Sequence, residues 1–340
     1  MILLSPKQTG FDIVKAGHIE LLVTDLNKAR DFYVNKLGFF VSAQDDRHLY
    51  LRGAEERYHH SLLLTESDYA GVGHIAFRVK DENDLKSVKK LLEKHRLKFE
   101  EHRNKEKGIE RSIRFQDPFG FPVEFYSSMT KVEWMIRSYH LQTGARVSRL
   151  DHFNLLVPDV SSAFKWYSEE LGFICTELTE MDDEDTIWAA WLRRKHTCHD
   201  VALMTGIGPR VHHAGFTVPD RISIMDSADL LASSGYLKSI ERGPGRHGIS
   251  NAFFLYLRDA DGNRIELYTG DYLSADPDWE PVRWKLNDPQ RQTFWGAPAP
   301  ESWFNEAMQV GSFFSSSFQA LKKPKLTDRP TYMSHRNSYQ

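Results

Sequence analysis

Two stretches of the chain combine an apolar run, a polar turn and a helical spacing of apolar residues. The runs "IELLV" and "FNLLV" predict buried strands, and the turns after them contain Asp25 and Asp159. Each aspartate stands where a helix N-cap belongs, and Gly38 or Gly172 follows where a left-handed C-cap belongs. Each stretch therefore predicts a strand, a turn and an amphipathic helix.

These stretches belong to a longer internal repeat. Residues 18–39 and 152–173 share ten identities in 22 positions at a constant offset of 134. Further along, "GHIAFRV" matches "HHAGFTV" at an offset of 139, and "RFQDPFGFPVEFY" matches "YLRDADGNRIELY" at an offset of 142. Both pairs predict more strands, and a helical spacing follows the first pair. The repeat therefore predicts an α+β fold of four β-α-β-β-β modules, two in each domain.

The repeat also indicates the domain boundaries. The first pair of modules occupies residues 10–130 and the second pair 148–289, and 340 residues are enough for two domains. The remaining tail, 290–340, has too many aromatic residues for a solvated linker until its polar end. We expect it to fold as a lid over a site or onto a neighbouring subunit.

Composition and charge narrow the range of partners. With 41% hydrophobic residues, 27% charged residues and a net charge of −3, the chain is typical of globular proteins and lacks a basic patch for nucleic acid or anionic lipid. The two cysteines, Cys175 and Cys198, are expected to be reduced, and "MILLSPKQTG" lacks the pattern of a signal peptide. We expect a cytoplasmic protein with a small-molecule partner and no nucleic-acid or membrane partner.

Three polar residues recur in register within apolar strands of the second half, namely His152, His213 and Glu266. Burying a charge or an unsatisfied polar group costs several kcal/mol, so each of the three needs a partner. Two imidazoles and one carboxylate form a facial triad, which binds a divalent metal such as Fe(II) and leaves coordination sites open. The alternative is that each histidine is an ordinary strand residue bonded to a backbone carbonyl, but the shared register favours a metal site.

The first half repeats the three candidate ligands but changes their surroundings. The repeated ligands are His18, His74 and Glu124. The changed neighbours are Arg114 in place of Tyr256 and Glu20 in place of Asn154, while His60 stands where His199 stands. Arg114 could neutralise Glu124, whereas Glu20 could favour a cation. A second metal therefore remains open, and we expect this half to be chiefly a structural duplicate.

Several motifs give the chain a specific family resemblance. The stretches "RLDHFN", "KHTCHD", "GPRVHHAGF", "ERGPGRHGISNAFFLYLRDADGNRIELYTGDY" and "DPQRQTFWG" resemble those of the vicinal oxygen chelate superfamily. Within it, they are similar to two-domain extradiol ring-cleaving dioxygenases of the homoprotocatechuate (3,4-dihydroxyphenylacetate) 2,3-dioxygenase type. The resemblance covers about residues 12–305 and implies modules paired into two barrel-like domains. It further implies Fe(II) or Mn(II) as the cofactor, a catechol and O₂ as substrates, and a homo-oligomer, either a tetramer or a dimer.

The resemblance also implies roles for individual side chains. His199 would be the acid/base group, a role that suits an imidazole because its pKa lies near neutrality. Tyr256 would donate a hydrogen bond to the substrate or its oxygenated form. Two further substrate contacts would be Asn154, a donor near O₂, and Trp191, which would pack against the ring. Without the family, each of these residues could equally be an ordinary strand or loop residue.

Recognition of the substrate's side chain would fall to basic residues around the "ERGPGRHG" loop. Arg242 and His247 match positions that hold the acetate group in the family. Where the family has an Arg-Arg pair after a glutamine, this chain has Arg291 followed by Gln292. An amide donates a weaker hydrogen bond to a carboxylate than a guanidinium does, so the absence of the second arginine weakens the expected selectivity for acidic catechols.

Two alternative functions remain at this stage. One is a glyoxalase-type metal-dependent isomerase or lyase on the same fold, which would not consume O₂. The other is a protein that binds a small aromatic ligand without catalysis. A single His-His-Glu set beside His199 argues against the first, and the combination of Tyr256 and His247 with the ligands argues against the second.

Overall fold

The computed structural model describes residues 9–182 and 186–334, so the last six residues of the predicted tail lie outside the described chain. The first half forms one mixed sheet. Its strands are Ile13–Val23 (β1), Phe40–Gln44 (β2), His48–Arg52 (β3), Leu62–Glu66 (β4), Gly71–Val79 (β5), Phe99–Arg103 (β6), Arg111–Gln116 (β7) and Pro122–Tyr126 (β8). Its helices are Leu26–Arg30 (α1), continued by a π-helical turn at Asp31–Lys36, and Glu82–Lys94 (α2).

The second half repeats this arrangement. Its strands are Arg149–Val157 (β9), Ile174–Glu180 (β10), Ile187–Arg193 (β11), Val201–Thr205 (β12), Arg210–Thr217 (β13), Ile240–Arg246 (β14), Phe253–Arg258 (β15) and Arg264–Thr269 (β16). Its helices are Val160–Lys165 (α3), continued by a π-helical turn at Trp166–Glu170, and Arg221–Ser233 (α4). The predicted α+β architecture of four β-α-β-β-β modules is confirmed.

The local signals act as the sequence predicted. The carboxylates of Asp25 and Asp159 accept hydrogen bonds from backbone N–H groups at the starts of α1 and α3. Gly38 and Gly172 follow the two π-helical turns with φ values of 80° and 73°, a region that L-residues other than glycine avoid. These caps determine where each helix ends and the next strand begins.

The order of the strands brings the candidate ligands to the centre of each sheet. The first sheet runs β2-β3-β4-β1-β5-β8-β7-β6, and the corresponding part of the second runs β10-β11-β12-β9-β13-β16-β15-β14. In both, the two modules meet through the antiparallel pairing of their first strands, β1 with β5 and β9 with β13. The strands that carry the two histidines and the glutamate are therefore neighbours.

The two halves share one hydrophobic core. The Phe77 ring lies 5.7 Å from the Phe153 ring and 5.5 Å from the Phe173 ring, between centroids. Reciprocal hydrogen bonds also cross the boundary, from the Tyr33 hydroxyl to Asp259 and from the Tyr167 hydroxyl to Asp117. Each pair is the repeat-related copy of the other.

The tail extends the second sheet. Its strands are Val282–Lys285 (β17), Trp295–Gly296 (β18), Met308–Gln309 (β19), Gly311–Ser312 (β20) and Ser315–Phe318 (β21), and its helices are Pro289–Gln292 (α5), Glu301–Asn305 (α6) and Thr331–Ser334 (α7). β17 pairs with β10, β18 with β14 and β19 with β13. The predicted domain limits of 10–130, 148–289 and 290–340 stay a prediction. Among the described residues, no helix has the length and apolar character needed to cross a membrane.

Candidate metal centre and active site

His152, His213 and Glu266 converge from the adjacent strands β9, β13 and β16. Gly215 pairs with His152 on one side and with Glu266 on the other. A Cβ atom at Gly215 would lie 2.1 Å from Cε1 of His152, so only glycine leaves room for the imidazole here. The three side chains therefore point to one location in the middle of the sheet.

The three ligand atoms form a nearly equilateral triangle. His152 Nε2 lies 3.2 Å from His213 Nε2 and 3.0 Å from Glu266 Oε2, and His213 Nε2 lies 3.2 Å from Glu266 Oε2. Ligands about 2.1 Å from one ion at right angles to each other would be about 3.0 Å apart. All three residues are at most 2% exposed. The donor set and spacing fit one face of a six-coordinate divalent metal.

The orientation of the His152 ring suits a ligand. Its Nδ1 donates to Asp151 Oδ2 at 2.9 Å, which leaves the Nε2 lone pair directed at the centre of the triangle. Burial opposes ionisation of Asp151, but Lys195 and His152 outweigh it and lower the pKa of that carboxyl. An ionised Asp151 therefore fixes the tautomer of His152.

A second relay fixes His213. The backbone oxygen of Trp303 can only accept, so His212 Nε2, 3.0 Å away, donates to it. Burial and the charge of Arg264 hold the pKa of His212 well below its ordinary value, so this imidazole is neutral and its Nδ1 accepts from His213 Nδ1 at 2.7 Å. His213 is thereby left with its Nε2 lone pair facing Glu266.

The electrostatic field at the triangle favours a cation. Burial lowers the pKa of His152, but Asp151 and Glu266 overcome this effect and raise it to about 9. Burial likewise opposes the charge on Glu266, yet the two histidines hold its pKa well below the ordinary value. Two carboxylates therefore stabilise positive charge at a position where a metal ion would supply it.

A cavity opens onto the triangle and combines aromatic walls with a few polar groups, as small-molecule sites do. It is lined by His152, Asn154, Trp191, His199, Met204, His213, His247, Ile249, Ser250, Tyr256, Glu266, Tyr268, Arg291, Gln292 and Trp303. Of the eleven residues that the sequence singled out for this site, all except Arg242 line the cavity.

His199 has the environment of a general base. Its ring centroid lies 4.1 Å from that of His152, and its Nδ1 has no hydrogen-bond partner among the described residues. Burial and the neighbouring His152 hold its pKa well below the ordinary value, so the imidazole is neutral. A neutral, buried imidazole facing a cavity can accept a proton from a bound hydroxyl.

Tyr256 lies beside Glu266 through the β15–β16 pairing. Its hydroxyl is 2.9 Å from His247 Nε2, and His247 Nδ1 is 2.5 Å from the backbone oxygen of Gln292. Because that oxygen accepts from Nδ1, the neutral His247 presents Nε2 as an acceptor to the tyrosine. His247 therefore orients Tyr256, a contact that sequence analysis did not predict.

The basic residues lie in two different places. Arg242 stacks 4.4 Å from the Trp303 ring and donates to the backbone oxygen of Gln292 and to the Thr293 hydroxyl, behind the cavity wall. Arg291 lines the cavity and is 2% exposed. Its Nη1 donates to the Thr179 hydroxyl at 3.4 Å, while Nε and Nη2 have no hydrogen-bond partner among the described residues. The cation that faces the cavity with donors to spare is thus Arg291, whereas Arg242 supports the segment that carries it.

Sequence reasoning missed the residues that support the ligands. Asp151 and His212 each precede a ligand directly, so the dipeptides "DH" and "HH" were available signals. Met204, Ile249, Ser250 and Tyr268 line the cavity as well, but nothing in their local sequence distinguishes them from core or loop residues. Trp303 was expected to belong to a lid, and its carbonyl proves to be part of the His213 relay.

Comparison with known proteins identifies the class. The model of the Glyoxalase/Bleomycin resistance protein/Dioxygenase superfamily matches residues 15–125 and 149–267, the two pairs of modules. The chain belongs to this superfamily, in agreement with the resemblance drawn from the motifs.

Similar proteins narrow the class further. A manganese-dependent 2,3-dihydroxybiphenyl 1,2-dioxygenase of Geobacillus genomosp. 3 is 31% identical over 84% of this chain and 95% of its own, and a metapyrocatechase of Geobacillus stearothermophilus is 33% identical over 86% and 93%. The structure of an extradiol ring-cleaving dioxygenase from B. fuscum matches with a TM-score of 0.91 and 39% identity, over 96% of this chain and 89% of that one. A homoprotocatechuate 2,3-dioxygenase from Brevibacterium fuscum, in complex with 3,4-dihydroxyphenylacetate, matches with a TM-score of 0.89 and 40% identity. This match covers 94% of this chain and 98% of that one. Within the superfamily, the chain is an extradiol ring-cleaving dioxygenase.

Proposed function

We propose that the chain cleaves a catechol that carries an acidic side chain, with 3,4-dihydroxyphenylacetate as the candidate substrate. The observation that carries this proposal is the buried guanidinium of Arg291, whose Nε and Nη2 have no hydrogen-bond partner among the described residues, in the same cavity as the His152–His213–Glu266 triangle. Burying a cation without a partner is costly, and a carboxylate of the substrate would supply the missing anion. The solved complex of the similar B. fuscum enzyme with this compound supports the same choice.

The metal would be Fe(II) or Mn(II), held by His152, His213 and Glu266. Such an ion, when bound, lowers the pKa of a catechol hydroxyl and brings the diol and O₂ together. The ligand set accepts either metal. The manganese-dependent relative supports manganese as readily as the wider class supports iron.

His199 would carry the protons. As a neutral imidazole at the cavity wall, it accepts a proton from one catechol hydroxyl and returns it at a later step of the ring cleavage. Its Nδ1, which has no partner in the part of the chain that the structure describes, is consistent with a group whose partner arrives with the substrate. The adjacent His152 disfavours lasting protonation of His199, so the proton is held only transiently.

The remaining cavity residues would orient the substrate. Tyr256, held by His247, presents its hydroxyl beside Glu266, and the Oδ1 of Asn154 in the same cavity has no hydrogen-bond partner within the described ranges. Trp191 supplies a flat apolar surface for the catechol ring. Gln292 offers a neutral donor beside Arg291, so we assign the acidic group of the substrate chiefly to Arg291.

The function is tested by anaerobic loading of the protein with Fe(II) or Mn(II), addition of 3,4-dihydroxyphenylacetate, and admission of air. We expect consumption of O₂ together with a yellow ring-opened product. Conversion of a 2-oxoaldehyde–thiol adduct without O₂ uptake would instead support the isomerase alternative. Catechol binding without O₂ uptake would support the ligand-binding alternative.

The choice of substrate has its own test. Arg291→Gln is expected to lower kcat/KM for 3,4-dihydroxyphenylacetate by about 10-fold to 100-fold, and to leave that for 4-methylcatechol within about threefold, because only the acidic substrate loses a charge-assisted hydrogen bond. Arg283→Gln, at an exposed arginine of β17, is the matched control. An equal loss on both catechols would reject Arg291 as the selective group.

We also propose that the enzyme is cytoplasmic and assembles as a homo-oligomer, a tetramer or a dimer. The reduced state of its two buried cysteines, which form no disulfide, supports the first part. Native mass spectrometry of the metal-loaded protein tests the second.

A further inference from the structure

The first half contains a second group of buried ligands. His18 on β1, His74 on β5 and Glu124 on β8 occupy the positions that repeat the metal triangle, and Glu106, from the loop between β6 and β7, joins them. No exposed fraction in this group exceeds 7%. Four candidate ligands therefore face one another inside the first sheet.

The distances within this group suit a single ion. His18 Nε2 lies 2.9 Å from His74 Nε2, 3.0 Å from Glu106 Oε1 and 3.7 Å from Glu124 Oε1. Tetrahedral ligands about 2.0 Å from a zinc-like ion would be about 3.3 Å apart, within the span of these values. Two imidazole nitrogens directed at each other at 2.9 Å need either a shared proton or a shared cation between them.

The outer contacts orient two of the ligands toward the centre. His74 Nδ1 donates to Glu20 Oε2 at 2.8 Å, and the Thr65 hydroxyl in turn donates to Glu20 Oε1 at 2.7 Å. His74 is thereby left with Nε2 facing His18, just as Asp151 orients His152 in the second half. A carboxylate behind a histidine in this manner is typical of metal sites.

Arg114 occupies only one side of the two carboxylates. Its Nη2 binds Glu106 Oε2 and its Nε binds Glu124 Oε2, so the Oε1 atoms are the ones that face His18. Glu106 Oε1 also accepts from His60 Nε2 at 2.7 Å, which leaves a lone pair of that oxygen for an ion. Glu124 is completely buried, and its Oε1 has no hydrogen-bond partner among the described residues. Arg114 thus orients both carboxylates without using the oxygens that would bind an ion.

The charges of the group match a divalent cation when both imidazoles are neutral ligands. Glu20, Glu106 and Glu124 carry three negative charges, and Arg114 supplies one positive charge. With neutral imidazoles, two negative charges remain in a buried region, where uncompensated charge is strongly unfavourable. A divalent cation would balance them.

We propose that His18, His74, Glu106 and Glu124 bind a second divalent cation, of the zinc type, that stabilises the first half and takes no part in ring cleavage. Four protein ligands complete a tetrahedral shell, which distinguishes this site from the open three-ligand site of the second half. The site is built by the strands of one sheet and by the β6–β7 loop, so the ion would tie that loop to the sheet.

The test removes the catalytic site first and then counts metal. Circular dichroism first checks that the His213→Ala protein is folded. The protein is then equilibrated with Zn(II), and loosely bound metal is removed by gel filtration. Mass spectrometry measures the metal that remains bound. We expect about one zinc per chain, against about two in the parent protein, and close to none in His213→Ala/Glu106→Gln. His213→Ala/Glu100→Gln, which alters a half-buried glutamate of β6 outside the ligand group, is the matched control and should keep its zinc.

A second measurement does not depend on a variant of the first half. Co(II) added to His213→Ala protein should give the intense visible absorption of a tetrahedral ion, with a slow loss to chelator because the site is closed. A folded His213→Ala protein that retains almost no zinc would overturn the proposal and indicate a cluster balanced by protons. Equal zinc content in His213→Ala/Glu106→Gln and His213→Ala/Glu100→Gln would also overturn the proposal, because the ion would then lie elsewhere.

Discussion

The two halves of the molecule place two histidines and a glutamate at the same positions of the same sheet, yet the surroundings differ. In the second half, Gly215 lies between His152 and Glu266, whereas in the first half Ala76 lies between His18 and Glu124. The nitrogen-to-oxygen distance is 3.0 Å across the glycine and 3.7 Å across the alanine. One methyl group between the strands thus accompanies a wider and less regular set of ligands.

The second difference concerns what faces the ligands. His60, the counterpart of His199, has both ring nitrogens engaged, by His59 and by Glu106, whereas Nδ1 of His199 has no partner in the described chain. Arg114 takes the place of Tyr256 and closes the site that a substrate would enter. The fold supplies the convergence of ligands, and the residues one layer further out decide between a closed site and an open one.

The largest expected effect is at the carboxylate ligand of the second half. Glu266→Gln is expected to lower kcat/KM by at least about 10³-fold and to reduce bound metal, because it removes the only charged ligand of the triangle. The measurement is metal content and O₂ uptake, with the exposed Glu280→Gln as control. Full metal occupancy in Glu266→Gln would refute the triangle as the metal site.

His199→Asn separates the proton carrier from the ligands. We expect kcat to fall by about 10²-fold to 10⁴-fold while the protein still binds metal and catechol, since an amide cannot carry a proton. Stopped-flow turnover and a binding titration make the comparison, with the exposed His196→Asn as control. Turnover equal to that of the parent would show that the acid/base assignment is wrong.

Variants of His212 test the hydrogen-bond relay from His213 to the Trp303 carbonyl. The first half lacks this relay, because the counterpart of His212 there is Gly73. His212→Leu leaves His213 Nδ1 without an acceptor and should weaken Mn(II) binding by about 10-fold to 100-fold. His212→Gln, which can accept from His213 and donate to the Trp303 carbonyl, should restore most of the affinity. An unchanged dissociation constant in His212→Leu would exclude a positioning role.

The smallest expected effect concerns the hydrogen bonds between the two halves. It is a change in the free energy of unfolding that depends on pH. Burial, opposed by the backbone N–H groups of Phe119 and Phe121 and by the Tyr167 hydroxyl, raises the pKa of Asp117 from its ordinary value to about 7. The folded state thus binds more protons than the unfolded state, so this residue's contribution is fully present below about pH 4 and is lost as pH rises to about 7.

Asp117→Asn mimics the protonated carboxyl at every pH. It should therefore be more stable than the parent at pH 8, by on the order of 1–3 kcal/mol, and match it at pH 4. Chemical denaturation at the two pH values measures this difference. The repeat-related Asp259, whose pKa burial raises to about 6, should show the same trend more weakly in Asp259→Asn. A pH-independent difference would show that Asp117 is ionised throughout.

The repeat made the architecture and the metal triangle predictable, because in-register strands must bring equivalent residues to equivalent places. Helix limits followed from local chemistry, as at Asp25 and Gly38. Contacts across loops did not follow, since nothing periodic links Glu106 to His18. The orientation of the Arg242 side chain could not be predicted from the sequence either, because it depends on stacking against Trp303, a residue 61 positions away along the chain.

The Trp303 carbonyl makes the catalytic triangle depend on a segment outside the four repeated modules. It accepts from His212 Nε2 at 3.0 Å, and it lies in α6. Displacement of α6 would leave His212 without this acceptor and free His213 to turn its Nε2 away from Glu266. Docking of α6 is therefore part of the construction of the metal site, although none of its side chains is a ligand.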